Sequence, residues 1–183
     1  GNSYTGSYET SFAVVRYGNV MGSRGSVIPL FMSISKDGVL PITDKRMTRF
    51  MISLEDGVEL VWHAFNDMKG GEIYVKKIPS MKVTDVALAV DNTAKQEEVG
   101  IRPGEKLHEQ MIGPEDSLYT YEYPSYFKIL PSINNWSHDP NRIATGKKVD
   151  PAFIYSSDKN DHWMEIAELQ EWIATNREKI GRI

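Results

Sequence analysis

Residues 100–111, which read GIRPGEKLHEQM, combine the side chains best suited to hold a charged ligand. Arg102 carries a planar guanidinium that can bond two oxygens of one phosphate group. Glu105, three residues later, can accept hydrogen bonds from the hydroxyl groups of a ribose. We expect a turn here, followed by a short amphipathic helix. A helix N-terminal capping pattern, with Glu105 near the positive end of the helix dipole, is the alternative explanation.

A second arginine, Arg49, lies in the otherwise apolar stretch MTRF at residues 47–50. A buried charge without a partner costs several kcal/mol, so an arginine in such a stretch needs a carboxylate or a phosphate nearby. The pattern therefore indicates either an anion-binding residue or one half of an internal salt bridge.

Two further candidate groups follow the strand that we expect over residues 12–17. Asn19 can donate and accept hydrogen bonds, and ligands of open α/β sheets bind at the carboxyl ends of strands. The loop GSRGS at residues 22–26 has the small residues and the single arginine of an anion-binding loop. The alternatives are an asparagine that bonds its own turn and a solvated loop.

Composition excludes several kinds of chemistry. The chain has no cysteine, which removes disulfides and thiolate catalysis, and its four histidines are not paired at ligand spacing, so we expect no metal site. A net charge of −4 gives no general reason to bind nucleic acid or an anionic membrane. An anionic ligand would therefore depend on local arginines. With no apolar run long enough to cross a bilayer and a polar start, we expect a cytoplasmic protein.

The elements that must position these groups alternate between strand-like and helix-like patterns. The almost continuous apolar run FAVVRY at residues 12–17 predicts a strand buried on both faces of a parallel sheet. Strands that alternate with helices indicate an α/β fold. Further strands are predicted over residues 39–42, 47–52, 72–78 and 97–101, and helices over residues 27–35, 54–65, 84–90 and 166–180.

The clearest helix follows Ser53, which is suited to cap it. Its large apolar side chains recur at helical spacing and make one face of the kind that packs on a core. These side chains are Leu54, Val58, Val61, Trp62 and Phe65. Beyond residue 113 the sequence becomes aromatic and then turn-rich, so we divide the chain into residues 1–113 and a C-terminal extension, 114–183.

The order of the motifs is more specific than any motif alone. The series RYGNVMGSRGSVIPLF, LPITDKRMTRF, GGEIYV, IPSMKVTDVA, GIRPGEKLHE and FIYSSDKN closely resembles the C-terminal half of bacterial UDP-N-acetylglucosamine 4,6-dehydratases. These enzymes belong to the extended short-chain dehydrogenase/reductase superfamily, and the inverting type that opens pseudaminic acid synthesis is the type this series resembles most. The resemblance is dense over residues 12–109 and weaker over 153–173.

The resemblance implies an incomplete Rossmann-like fold, with the last parallel strands of the core and a mixed α/β substrate-binding subdomain. In the family, a Tyr-x-x-x-Lys pair and an acidic residue act with NADP to oxidise C4 of the sugar. Water is then eliminated across C5 and C6, and the hydride returns to C6. The implied product belongs to the synthesis of surface glycans or flagellin sugars.

The resemblance also implies roles for particular positions. Arg49 and Arg102 resemble the two arginines that clamp the UDP diphosphate, and Glu105 the residue at the ribose. Asn19 and the backbone of Val20 resemble the loop that approaches the nicotinamide and the sugar. Residues 25–29, with Ser26 and Pro29, resemble the wall around the nucleotide.

The sequence departs from the family in its catalytic motifs. No Gly-x-Gly-x-x-Gly follows a strand, so the site for the dinucleotide phosphates is missing. Only Tyr155 and Lys159 have Tyr-x-x-x-Lys spacing, and they lie after the substrate motifs, which indicates coincidence. We therefore expect no catalytic residue in this chain, no cofactor bound by it alone and no turnover without the N-terminal half.

Other interpretations stay open. A UDP-sugar 4-epimerase or a retaining dehydratase would share much of the nucleotide clamp. A non-catalytic association module is the alternative from a different class, because an apolar strand at residues 12–17 without its neighbours would favour a homo-oligomer.

Overall fold

A computed structural model describes residues 9–182, without the side chain of Asn134. The first eight residues of the predicted division 1–113 lie outside the described residues, as does the last residue of 114–183. Across residues 9–182, none of the helices combines the length and the apolar character needed to span a bilayer. The strands and helices below are numbered in chain order.

The strands are β1 (Val14–Arg16), β2 (Asn19–Val20), β3 (Val39–Ile42), β4 (Thr48–Ile52), β5 (Ile73–Lys76), β6 (Ser80–Lys82), β7 (Lys95–Glu98), β8 (Gln110–Ile112), β9 (Thr120–Glu122), β10 (Tyr126–Ile129), β11 (Lys147–Lys148) and β12 (Tyr155–Ser156). The α-helices are α1 (Val27–Ile34), α2 (Leu54–Asp67), α3 (Val83–Val90), α4 (Pro114–Ser117), α5 (Pro140–Ile143) and α6 (Ile166–Asn176). Two 3-10 helices cover Ser35–Asp37 and Ile133–His138.

The residues group into two units, each assembled from three stretches of chain. The first unit contains the chain up to Tyr17, Glu55–Lys77 and Gln110–Tyr155. The second contains Gly18–Leu54, Ile78–Glu109 and the chain from Ser156 onward. The sequence-based division after residue 113 describes composition along the chain and stays a prediction.

The first unit is built on a five-stranded sheet in the order β1-β5-β10-β9-β11. Strands β1 and β5 are parallel, with Val15 opposite Tyr74, and the remaining pairs are antiparallel. Parallel and antiparallel pairs thus occur in one sheet that helices accompany, and the predicted α/β fold class is confirmed.

Strand β1 forms where it was expected, but its predicted burial on both faces is wrong. Phe12 and Val14 are 53% and 52% exposed, on a face of the strand that the described residues leave largely uncovered, and β1 is also the edge strand of its sheet. Ala13 and Val15 point the other way and pack on the cluster formed by Leu60 and its neighbours. Alternation along a strand therefore leaves one apolar side of β1 uncovered.

Helix α2 also forms as predicted, but its large apolar face is not the buried one. Trp62 and Phe65 are 62% and 64% exposed, whereas Gly57, Leu60 and Ala64 are buried. The small side chains of the buried face allow the helix backbone to approach its neighbours closely. The complete exposed set is Leu54, Val58, Val61, Trp62 and Phe65.

The second unit buries a core between short sheets and three helices. Strands β2, β4 and β6 form one sheet, and β3 pairs with β7 in parallel. Helix α3 contacts both α1 and α6. The helix predicted over residues 166–180 forms as α6, on which Leu169 is fully buried and Trp172 and Ile173 pack against the same core.

Candidate functional site

The second unit contains a cavity of about 210 Å³ between the start of α1, strand β4 and helix α3. Its apolar wall comes from buried core side chains, and its polar groups come from loops and strand ends. Five residues that the sequence predicted for ligand binding line it. They are Asn19, Val20, Ser26, Arg49 and Glu105.

The parallel pairing of β2 with β4 brings three of these residues together. Asn19 lies opposite Met51 and Val20 opposite Ile52, while Arg49 stands two residues earlier on β4. Gly18 allows this approach, because a Cβ atom there would lie 2.5 Å from the carbonyl oxygen of Phe50. The RYGN and MTRF motifs thus form one wall of the cavity.

The other two predicted residues lie outside the lining of the cavity. Pro29 sits in the first turn of α1, half-buried and close to Gly181. Arg102 is exposed on the loop before β8. Its backbone N–H donates to the carboxylate of Glu105 at 3.2 Å.

The helix predicted after Glu105 is wrong, and so is the capping alternative that depended on it. Residues 101–109 form turns, and the next regular element is the strand that begins at Gln110. Gly104 has a φ of +87°, in the left-handed region that glycine adopts easily. The N–H of Glu105 donates to the carbonyl of Arg102 at 3.0 Å, so the loop closes as a tight turn.

Arg49 is held by backbone carbonyls. Its Nη1 donates to Thr48 at 2.7 Å and to Leu107 at 3.1 Å, and its Nη2 donates to Lys106 at 2.9 Å. These bonds fix the loop before β8 against strand β4. They use three of the five N–H donors of the guanidinium, and Nε, which carries a fourth, lies 3.9 Å from Oε1 of Glu109. One N–H of Nη2 remains for a ligand.

Glu109 is half-buried, and its carboxylate is bonded to two other residues of this wall. Its Oε1 accepts from Asn19 Nδ2 at 3.0 Å, and its Oε2 accepts from the N–H of Phe50 at 2.9 Å. Oε1 also lies 3.9 Å from Nε of Arg49. Glu109 therefore joins the asparagine and the arginine of the cavity, although it is distant from both in sequence.

The late motif FIYSSDKN supplies support behind this wall. Ser157 is fully buried, and its Oγ accepts from the N–H of Glu109 at 2.9 Å. Thr48 Oγ1 lies 2.7 Å from Ser157 Oγ and 2.8 Å from Nδ1 of His108. His108 is half-buried in this network. The network joins Ser157, in the late part of the chain, to strand β4.

Asp44, in the turn between β3 and β4, is 7% exposed. It accepts hydrogen bonds from both the side chain and the backbone N–H of Arg46. The bond from the Arg46 side chain is the main cause that lowers the pKa of Asp44 to about 2. Asp44 thus stabilises its own turn, next to Thr43, which lines the cavity.

The first unit has a separate polar cluster. Lys128 is 3% exposed and donates to Asp67 at 2.7 Å, and the hydroxyl of Tyr74 donates to the same oxygen at 2.7 Å. Burial raises the pKa of Tyr74 well above 10, with a further contribution from the bond to Asp67. This phenol stays protonated at neutral pH and serves packing.

The Tyr155 and Lys159 pair, the one match to Tyr-x-x-x-Lys spacing, sits in the late part of the chain. The ring of Tyr155 packs on Phe127 at 5.1 Å between centroids, and Lys159 is exposed. Within residues 9–182, no group of His, Asp and Glu side chains is arranged to hold a metal ion.

The chain matches known proteins over most of its length. The family model described as "Polysaccharide biosynthesis protein" matches residues 1–131. The chain is 50% identical over 179 residues to the UDP-N-acetylglucosamine 4,6-dehydratase (inverting) of Campylobacter jejuni, a match that covers 94% of this chain and 54% of that protein. It is 36% identical over 172 residues to the UDP-glucose 4-epimerase of Rickettsia canadensis, covering 91% and 50%.

A solved structure also matches this chain over nearly its whole length. The X-ray structure of Pen from Bacillus thuringiensis aligns with a TM-score of 0.81 and 34% identity, over 96% of this chain and 53% of that chain. The chain thus spans about half the length of the relatives it matches.

Proposed function

The chain belongs to the polysaccharide biosynthesis protein family, and from that premise we propose that it forms the UDP-sugar-binding part of a UDP-N-acetylglucosamine 4,6-dehydratase. The observation that carries the proposal is the convergence of Asn19, Arg49 and Glu105 on one cavity of the second unit. The 50% identity to the Campylobacter dehydratase supports the choice of reaction and substrate.

The proposed binding mode follows from the chemistry of the cavity walls. Apolar side chains such as Ile28 and Val86 offer a dry surface for the uracil ring. Arg49 has one N–H of Nη2 outside these bonds, so it can donate to an oxygen of a diphosphate without releasing the carbonyls it holds. Glu105 accepts from the ribose hydroxyls.

Arg102 completes the proposed clamp from the loop. Its side chain is exposed and has no hydrogen-bond partner among the described residues, while its neighbour Glu105 lines the cavity. A guanidinium on a turn of this kind can swing toward the second phosphate, and the diphosphate charge would hold it there. Ser26 and Pro29 are proposed for the wall around the nucleotide.

The residues of this chain do not fit a complete NADP. Asn19 and Val20 are proposed to face the nicotinamide, but the Gly-x-Gly-x-x-Gly loop that would hold the dinucleotide phosphates is not in the sequence. We assign no step of the reaction to the cofactor here. We propose that this chain alone binds substrate without turning it over, and that a further polypeptide segment supplies the cofactor site.

Two exposed features of the first unit support a further segment. The apolar face of α2 and the edge of β1, which has no partner strand on that side among the described residues, are surfaces that proteins normally cover. The relatives are about twice as long as the matched region. A second copy of this chain, in a homo-oligomer, is the alternative occupant.

The wider role follows from the resemblance. We propose a place in the synthesis of surface glycans or flagellin sugars of the pseudaminic acid type, in the cytoplasm. The 36% identity to a UDP-glucose 4-epimerase supports a second candidate function, the substrate-binding part of a UDP-sugar 4-epimerase. The nucleotide clamp would be shared, so the two differ in the chemistry at C4 to C6.

Titration calorimetry with UDP and with UDP-N-acetylglucosamine tests the proposal. Binding of both ligands that weakens after substitution of Arg49 supports it. Wild-type protein that binds neither ligand would remove it. Addition of a cofactor-binding segment from the Campylobacter relative, followed by product analysis, separates a dehydratase from an epimerase.

A further inference from the structure

The side-chain amide of Asn19 has both of its N–H groups directed at acceptors of the protein. Nδ2 donates to Oε1 of Glu109 at 3.0 Å and to the carbonyl oxygen of Phe50 at 3.5 Å. An ionised carboxylate and a carbonyl can only accept, so the orientation of the amide is fixed by chemistry. The group left for a ligand is the carbonyl oxygen, Oδ1.

Glu109 is itself held firmly enough to impose this orientation. Its second oxygen accepts from the N–H of Phe50 at 2.9 Å. Its own backbone is bonded in both directions to Ser157, at 2.9 Å and 2.8 Å. Both carboxylate oxygens are therefore committed, one to strand β4 and one to Asn19.

We propose that Glu109 is a positioning residue that fixes Asn19 as a hydrogen-bond acceptor toward the cavity, so that Asn19 selects a donor on the sugar. This inference rests on the proposed UDP-sugar site. A phosphate oxygen offers no hydrogen to Oδ1, whereas a sugar hydroxyl or the N–H of an acetamido group does. Asn19 thus recognises the sugar, and the arginines recognise the diphosphate.

The first test reads the orientation without a ligand. In two-dimensional NMR spectra, the side-chain amide of Asn19, identified by its loss in Asn19→Ala, should exchange with water more slowly than the exposed amide of Asn92. In Glu109→Gln that exchange should become as fast as at Asn92. The carboxylate of Glu109 offers one oxygen to Asn19 and the other to the N–H of Phe50, whereas the side chain of glutamine has only one oxygen. Glu97→Gln, which removes an exposed glutamate of the same unit, is the control and should change nothing.

The second test compares ligand affinities to show which group of the ligand contacts Asn19. Asn19→Ala should weaken UDP-N-acetylglucosamine by about three- to tenfold, the effect of one lost hydrogen bond, and leave UDP unchanged. Glu109→Gln should lower the affinity for UDP-N-acetylglucosamine relative to that for UDP by a similar factor, which a merely unstable variant would not. The ratio of the two affinities is compared because Glu109 also lies 3.9 Å from Arg49. An equal loss for UDP would overturn the proposal, as would an unprotected Asn19 amide in the wild-type protein. A protected amide together with no binding of either ligand would overturn the proposed function and leave the positioning role of Glu109 supported.

Discussion

Arg142 and Glu72 form an ion pair in the interior of the first unit, with side-chain exposures of 7% and 2%. The pair closes a wider network. Glu72 accepts from the N–H of Gly70 at 2.8 Å, Arg142 donates to the carbonyl of the same glycine at 2.9 Å, and its guanidinium lies 4.0 Å from the ring centre of Trp136. The turn after α2 is thereby joined to helix α5.

Replacing Arg142 alone should destabilise the protein strongly. Arg142→Met leaves the carboxylate of Glu72 buried without its partner, which costs about 3–5 kcal/mol. Urea denaturation followed by tryptophan fluorescence measures the loss. The double variant Glu72→Gln with Arg142→Met should recover part of the stability, because it removes both charges together. A single variant as stable as the wild type would show that the pair is unimportant.

Acid should weaken the first unit through Asp67. Burial alone would raise the pKa of this carboxyl, but hydrogen bonds from Lys128 and Tyr74 outweigh it and lower the pKa below 3.8. A folded-state pKa below the unfolded value gives stability that is fully present above pH 3.8. That stability is lost as the pH falls through the lower, folded-state pKa.

Denaturant titrations at several pH values check this contribution. In Asp67→Asn the stability should be lower at neutral pH, and the part of the acid dependence that comes from this residue should disappear. Asp161→Asn, an exposed carboxylate of the second unit, is the control. An unchanged acid profile in Asp67→Asn would contradict the assignment.

The sequence predicted the four longest α-helices because their signals are local. The apolar spacing of residues 166–180 predicted α6, on which Leu169 lies in the core. For α2 the same spacing pointed to the wrong face. Trp62 and Phe65 are more hydrophobic than Gly57 and Ala64, so a hydrophobicity pattern predicts that the two aromatic side chains are buried. In the structure the small side chains are buried instead, because they let the helix pack closely.

The candidate site was also predicted only in part from the sequence. Arg49 and Glu105 were predicted from residue type and context, and they line one cavity. Glu109 was missed because its contacts with Asn19 and Phe50 cross 90 and 59 residues of sequence. Nothing in the neighbourhood of Glu109 in the sequence distinguishes it from an exposed glutamate, since long-range pairing gave it its position.

Arg49 should contribute most of the affinity for UDP. Arg49→Ala removes a charge from the cavity wall, and charge-assisted bonds to phosphate are worth about 1.5–3 kcal/mol, so calorimetry should show UDP binding weakened by at least about tenfold. Arg49→Lys should restore only part of it, because an ammonium lacks the planar fork. Arg177→Ala, which removes an exposed arginine of the same unit at the end of α6, is the matched control. Equal affinity in Arg49→Ala would remove this residue from the clamp.

The purified chain should not convert its proposed substrate. Incubation with UDP-N-acetylglucosamine and NADP should yield no 4-keto product, because the Gly-rich phosphate loop is not in the sequence and the Tyr155 and Lys159 pair lies in the late part of the chain. Mass spectrometry of the nucleotide sugars is the measurement. Product at a level that scales with protein concentration, and that survives further purification, would refute the prediction.

The exposed apolar face of α2 should make the isolated chain associate. Trp62 and Phe65 lie next to each other on that face with ring centres 6.2 Å apart, and burying two such rings against another surface is favourable. Light scattering should therefore show larger species at high protein concentration and a monomer for the double variant Trp62→Glu with Phe65→Glu. The melting temperature should stay close to that of the wild type, since neither side chain is buried in the described structure.

Asn66→Glu adds one of these charges to the same helix without removing an apolar side chain, so it should still associate. A wild-type protein that remains monomeric at high concentration would show that this face does not drive self-association. That result would favour a further polypeptide segment, rather than a second copy of the chain, as the partner that covers the face.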